Sequence, residues 1–232
     1  NLCAQRRIVG VACTEYRKNG AMAQYIAVKA RTLYALPAAV SFEQGCLVEP
    51  FAVGMHAVLR SGLAAGQTAA VIGDGTIGLM TLIAAKSQGA QVCISGHHAR
   101  PLQLAARLGA LDAALLPQLT EERGADIVYD AVGSQSSFAR AMELVRKGGR
   151  IMVIGNHART IDFPLQRCIT EQIDVQFSYS SAGEYPVCLQ AIAEGRADLT
   201  GLWQSFPLEE GPGVFERLIQ RDESLTKAIL IP

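Results

Sequence analysis

Residues 69–85 constrain this chain more than any other stretch. Four apolar residues, Ala69, Ala70, Val71 and Ile72, lead into Gly73-Asp74-Gly75-Thr76-Ile77-Gly78. Leu79, Met80, Leu82, Ile83, Ala84 and Ala85 then continue at helical spacing. The order is strand, glycine turn, helix. Each glycine has its own task in that setting. Gly73 permits the tight turn, Gly75 lets a pyrophosphate approach the backbone, and Gly78 lets helix and strand pack closely. The helix start at Thr76 and Ile77 turns unpaired N–H groups and a partial positive charge toward the same point. In a chain with 22 glycines the bare pattern is weak. Its flanks favour a nucleotide-binding turn over a glycine turn without a ligand.

Composition sets the bounds. The 232 residues are 50% hydrophobic, enough to bury one large core or two modest ones. The formal net charge is 0, from 21 basic and 21 acidic residues, and no basic block interleaves with aromatics. Nucleic acid and membrane surfaces are therefore not the expected partners. The six cysteines (Cys3, Cys13, Cys46, Cys93, Cys168, Cys188) form no C-x-x-C pair. Cys93, Cys168 and Cys188 read as small core hydrophobes, and the chain as reduced and cytoplasmic. No signal peptide or membrane span is expected. The chain opens on Asn1, so it is either processed or a piece of something longer.

From about residue 69 to 194, short strands alternate with helices. Strands are predicted at 69–73, 91–95, 112–116, 126–131, 150–154 and 174–179. Helices are predicted near 76–88, 100–108, 136–146 and 184–194, with Gly89, Gly109, Gly148 and Gly195 where they should stop. This alternation predicts an α/β fold with a doubly wound parallel sheet. The ends read differently. Residues 20–29 and 31–36 are predicted strands, as are 202–208 and 226–231, with an amphipathic helix between the last two. A second, β-rich domain into which the nucleotide domain is inserted explains both flanks.

Several ordered segments resemble the medium-chain dehydrogenases, in the zinc-dependent alcohol and polyol branch typified by sorbitol and threonine dehydrogenases. Gly20-Ala-Met-Ala-Gln-Tyr25 is similar to the family's G-x-x-A-E-Y strand, with Gln24 for the usual Glu. Leu36-Pro37 followed by Val40-Ser41 resembles its "lPd-vs" turn, and Glu49-Pro-Phe-Ala-Val-Gly-Met-His56-Ala57 its E-P-x-a-V-G-x-H-a segment. Asp126 to Gly133, Gly148 to Gly155, Phe206 to Glu210 and Lys227 to Pro232 are similar to its later strands and C-terminal end. The resemblance implies a Rossmann sheet at 52–195, flanked by remnants of a β-rich, GroES-like catalytic domain at 1–51 and 196–232.

It also implies zinc in the intact enzyme. Cys3 resembles the last of four structural-zinc cysteines, and Glu49 the carboxylate that polyol-type members place beside the catalytic zinc. The remaining ligands would lie upstream. Tetrahedral zinc needs three or four converging ligands, so Cys3 and Glu49 alone are not expected to hold the metal. Cys3 is also read as a free thiol, and Glu49 as an acid favourable to a helix start before Pro50. His56 is expected to pack or cap rather than ligate.

Nucleotide choice is expected to be decided beyond the second strand. NAD-preferring folds place an acid there, against the ribose 2′-hydroxyl. Here Gly96 occupies the family's acidic position, followed by His97, His98 and Arg100. A glycine leaves room for a 2′-phosphate, and the basic residues offer donors, so NADP is the expected cofactor with NAD the alternative. A solvated loop is the plainer reading of the two histidines. Ala131, Val132, Gly133, Gly155 and Asn156 are expected at the nicotinamide end, beyond later strands of the sheet, with His157 in the same loop.

The resemblance thus implies hydride transfer between a nicotinamide cofactor and a secondary alcohol of a polyol, sugar or hydroxy amino acid, with Glu49 bordering the reaction site. A nucleotide-binding fragment without catalysis is the alternative. A zinc-free, quinone-reductase-like member fits less well, having no use for Cys3 or Glu49. A homodimer or homotetramer is expected, paired across the sheet edge near 174–180.

Overall fold

A computed structural model describes residues 1–4, 6–11, 17–220, 222 and 224–232. Its centre is a six-stranded sheet of β1 (Thr68–Ile72), β2 (Gln91–Ser95), β3 (Leu111–Asp112), β4 (Ala125–Asp130), β5 (Val145–Val153) and β6 (Asp174–Phe177). The order is β3-β2-β1-β4-β5-β6, and every neighbouring pair is parallel. All five residues of β1 are buried, since helices cover both of its faces. The chain runs one way from β1 to β2 and β3, then returns to the other side for β4 to β6. The point of reversal lies between β1 and β4, at their carboxyl ends.

Helices α1 (Phe42–Cys46), α2 (Val48–Ser61), α3 (Thr76–Ser87), α4 (Ala99–Arg107), α5 (Leu116–Leu119), α6 (Gln135–Leu144), α7 (Leu165–Thr170), α8 (Tyr185–Ala193) and α9 (Gly211–Ile219) complete the framework. One core joins Phe51 and Met55 of α2, Leu79 and Leu82 of α3, and Leu189 and Ile192 of α8 to one face of the sheet. The other joins Phe138 and Met142 of α6 to Val128, Ile151 and Ile173. Helix α2 lies on α3 backbone to backbone, since a Cβ on Gly54 would sit 2.7 Å from the Thr81 nitrogen. Tyr129 ends in the first core with its hydroxyl 2.7 Å from Ser61 Oγ, so its one polar atom is satisfied. Cys93, Cys168 and Cys188 are buried as expected, and Cys13 lies outside the described residues.

The sheet thus has the predicted architecture, with four local differences. Residues 20–29 and 31–36 form no strand. They run irregularly, with one 3-10 turn at Ala30–Thr32, and Tyr25, Leu33 and Tyr34 are exposed. A strand needs a partner for its backbone, and none of the described residues before β1 supplies one. The predicted strand 112–116 stops at Asp112, whose Oδ1 accepts the Ala114 N–H at 2.8 Å and turns the chain into a 3-10 turn and then α5. Gly148 lies inside β5 rather than at a helix end, because α6 stops at Leu144. Helix α7 was not expected. At the far end, β7 (Gln204–Pro207) and β8 (Ala228–Ile231) pair in parallel across α9 as a separate two-stranded sheet.

Candidate functional site

Four strand ends meet at the carboxyl edge of the sheet. At β1, the Gly73 N–H donates to the Ser95 carbonyl of β2 at 2.9 Å. Gly73 has φ +107°, a conformation glycine alone adopts easily, and a Cβ there would press on Val132 Cγ2 at 2.9 Å. Gly75 is exposed, and a Cβ on it would meet nothing within 4 Å, so its open side is the approach to the turn. A Cβ on Gly78 would overlap the Gly73 carbonyl, so helix α3 is seated against its own loop. Helix α3 starts at Thr76 with Gly75 as its N-cap and no side-chain cap. The amides of its first turn, including Thr76 and Ile77, have no intrahelical acceptors. An anion is the natural partner for them.

At β4 and β5 the loops interlock. A Cβ on Gly133, at φ +72°, would overlap the Gly155 carbonyl, and one on Gly155 would overlap the Val132 backbone. Asp130, fully buried, organises this corner: Oδ1 accepts the N–H groups of Val132 and Gly133, each at 2.9 Å, and Oδ2 accepts the Ser137 hydroxyl at 2.9 Å. Its carbonyl accepts from Ile154 and Gly155, and the Ala131 N–H donates to Ile72 of β1. Gly73, Ala131, Val132, Gly133 and Gly155 are therefore brought together. Asn156 and His157 follow, exposed.

At β2 the geometry departs from the sequence reading. The space beside Gly96 is filled: a Cβ there would overlap the Asp74 carboxylate. Asp74 Oδ2 accepts the N–H groups of His97 at 2.8 Å and His98 at 2.6 Å, and Oδ1 lies 3.0 Å from His98 Nδ1. The room expected for a 2′-phosphate at Gly96 thus holds a carboxylate from the glycine turn. Burial raises the Asp74 pKa, but the His98 N–H and imidazole outweigh it, and the carboxyl lies below its ordinary value. His97 is exposed, as is Arg100 in the first turn of α4.

The expected metal residues are not part of this corner. Glu49 is exposed in the first turn of α2, and Cys3 is exposed in the irregular N-terminal segment. Among the described residues, no group of three or more His, Cys, Asp or Glu side chains could hold a metal ion. The described residues therefore do not fit zinc. His56 behaves as expected of a packing residue: Nδ1 lies 2.7 Å from Glu184 Oε1 and Nε2 lies 3.3 Å from Asn1.

Sequence reasoning missed Asp74 and Asp130 as organisers. The signals were present. Asp74 sits between two glycines while position 96 has no side chain, and Asp130 precedes a Gly133-Ser134 helix start.

Known proteins share the fold of this chain. The model of the zinc-binding dehydrogenase family matches residues 76–194. The chain is 28% identical to the sorbitol dehydrogenase of Bacillus subtilis, over 92% of this chain and 64% of that protein. It is 30% identical to an uncharacterised zinc-type alcohol dehydrogenase-like protein of Escherichia coli, YdjJ, over 99% of this chain and 68% of that one. The crystal structure of 2R,3R-butanediol dehydrogenase from Bacillus subtilis superposes with a TM-score of 0.86 at 26% identity, covering 92% of this chain and 65% of that one. The chain thus spans about two thirds of the length of these relatives. The family match over residues 76–194 and the 30% identity to the Escherichia coli protein show that the chain belongs to the zinc-binding dehydrogenase family.

Proposed function

We propose that this chain carries the cofactor site of an oxidoreductase that passes a hydride between a nicotinamide dinucleotide, NAD or NADP, and a secondary alcohol of a polyol, sugar or hydroxy amino acid. The observation that carries the reading is the cradle formed by Gly73, Gly75 and Gly78. It is open at Gly75, closed against backbone at Gly78, and continued by the uncapped start of α3. The first-turn amides there would hold the pyrophosphate. The shelf of Ala131, Val132, Gly133, Gly155 and Asn156 would take the nicotinamide end, with Asp130 keeping it rigid. Gly96, His97, His98 and Arg100 would border the adenosine ribose. The bound cofactor supplies the hydride acceptor or donor.

The polyol class rests on the similarity to sorbitol dehydrogenase and on the Glu49-Pro50 segment. Glu49 would border the reaction site. That no group of three or more possible ligands occurs among the described residues favours a second reading, a dinucleotide-binding chain without turnover. In this reading of the whole protein 1–51 and 196–232 belong to a second, catalytic domain, and the protein is cytoplasmic and assembles into dimers or tetramers through β6. That strand is the sheet edge and exposes Phe177.

Titration of the chain with NADH and with NADPH, followed by nicotinamide fluorescence, tests the cofactor site. Saturable binding of either supports it, and binding of neither overturns it. Turnover with a panel of polyols then separates the enzyme from the binding-only reading.

A further inference from the structure

We infer that Asp74 is the residue that selects the cofactor, and that the chain takes NAD(H) in preference to NADP(H). The inference rests on the reading of this corner as a dinucleotide site. In folds of this kind, an acid at the end of the second strand accepts a hydrogen bond from the ribose 2′-hydroxyl. At that position the chain has Gly96, which by itself reads as an invitation to a 2′-phosphate. The structure fills the vacancy from elsewhere. The Asp74 carboxylate lies where the first atoms of a side chain on Gly96 would lie. An acid is therefore present at the strand end, delivered by the glycine turn instead of by β2.

Three features hold it there as an anion. The backbone N–H groups of His97 and His98 both donate to Oδ2, at 2.8 and 2.6 Å. His98 Nδ1 lies 3.0 Å from Oδ1. The side chain is 7% exposed, so solvent screens its charge poorly. A carboxylate has about four acceptor sites, and these contacts leave capacity on Oδ1 for a hydroxyl donor. A phosphate dianion at the same place has no proton to offer and meets a fixed negative charge. His97 and Arg100 are exposed on the adjoining loop and pull the other way, so the measured preference weighs them against Asp74.

The site also explains why residue 96 is glycine. Gly96 is not in a left-handed conformation, so the backbone accepts a side chain there, and the Asp74 carboxylate is the obstacle. The acid should therefore be movable between the two positions.

The test is fluorescence titration with NADH and NADPH of the wild-type chain, Asp74→Asn, Asp74→Ala, and the double variant Asp74→Ala/Gly96→Asp. Asp74→Asn keeps an oxygen for the two backbone N–H groups while removing the charge, and circular dichroism confirms that each variant is folded. We expect wild type to bind NADH at least about tenfold more tightly than NADPH. Both single variants should lose most of that ratio through tighter NADPH binding, and the double variant should recover it. Recovery by an acid on the other loop is an outcome that a purely structural role for Asp74 would not give. Wild type preferring NADPH, or an unchanged ratio in folded Asp74→Asn, overturns the inference while leaving the dinucleotide site intact. Binding of neither nucleotide by wild type overturns the site reading itself, and this inference with it.

Discussion

Gly133 and Gly155 meet backbone to backbone, so that a Cβ on either would overlap main-chain atoms of the other's loop. That contact joins the ends of β4 and β5 into one shelf beside the glycine turn, and Val132 reaches from it to Gly73. The shelf's shape therefore depends on two residues that have no side chains.

Gly133→Ala is expected to be costly for two separate reasons. A non-glycine residue at φ +72° costs roughly 1–2 kcal/mol. Overpacking against the Gly155 carbonyl adds roughly 1–3 kcal/mol. Urea denaturation should show a loss of about 2–5 kcal/mol, and dinucleotide binding should weaken at a temperature where the variant is still folded. A variant as stable as wild type would mean that the two loops separate readily.

Asp130 holds the same shelf through polar contacts. Replacing it by Ala strands two backbone N–H groups and the Ser137 hydroxyl in a buried corner. We expect a loss of about 3 kcal/mol, against about 1 kcal/mol for Ser137→Ala. Chemical denaturation of both variants checks the ordering. Equal losses would show that the Ser137 bond alone carries the corner.

Acid should weaken the fold through two carboxylates. Glu184 is raised by burial but lowered more by the Ala182 N–H and the His56 imidazole, and it ends below its ordinary value. Asp74 follows the same pattern with His98. A carboxyl whose pKa is lower folded than unfolded stabilises fully above its unfolded value, about 4, and that contribution is lost as pH falls through the folded value. Urea midpoints should therefore drop below about pH 4, and Glu184→Gln should drop less steeply. The same slope in both proteins would remove Glu184 from the account.

Metal chelation should leave the stability of this chain unchanged. Structural zinc contributes directly to folding free energy, but the described residues include no group of three or more ligands to bind it. Thermal denaturation with and without EDTA, alongside metal analysis of the purified chain, checks this. A lower midpoint in chelator would reveal a bound ion that contributes to the fold.

The contrast between the glycine turn and its partner loop shows where sequence reading reached and where it stopped. Gly73, Gly75 and Gly78 were legible because their constraint is local: a strand, a tight turn and a helix within residues 68–87 leave few alternatives. Strand–helix alternation likewise implied the parallel sheet, because parallel strands require crossovers. Residues 20–36 were misread because alternating apolar residues show only that a strand is possible. Whether it forms depends on a pairing partner, which no residue in the segment encodes.

The sequence by itself determined the repeating architecture and the position of the glycine turn, since these follow from periodicity and from backbone chemistry at short range. Only the tertiary structure decided what occupies the space beside Gly96. Asp74 and Gly96 are 22 positions apart, and the register of β1 against β2, Ile72 beside Ser95, brings the two loops together. A side chain missing from one loop and a carboxylate offered by the other combine into one site only after that pairing has formed.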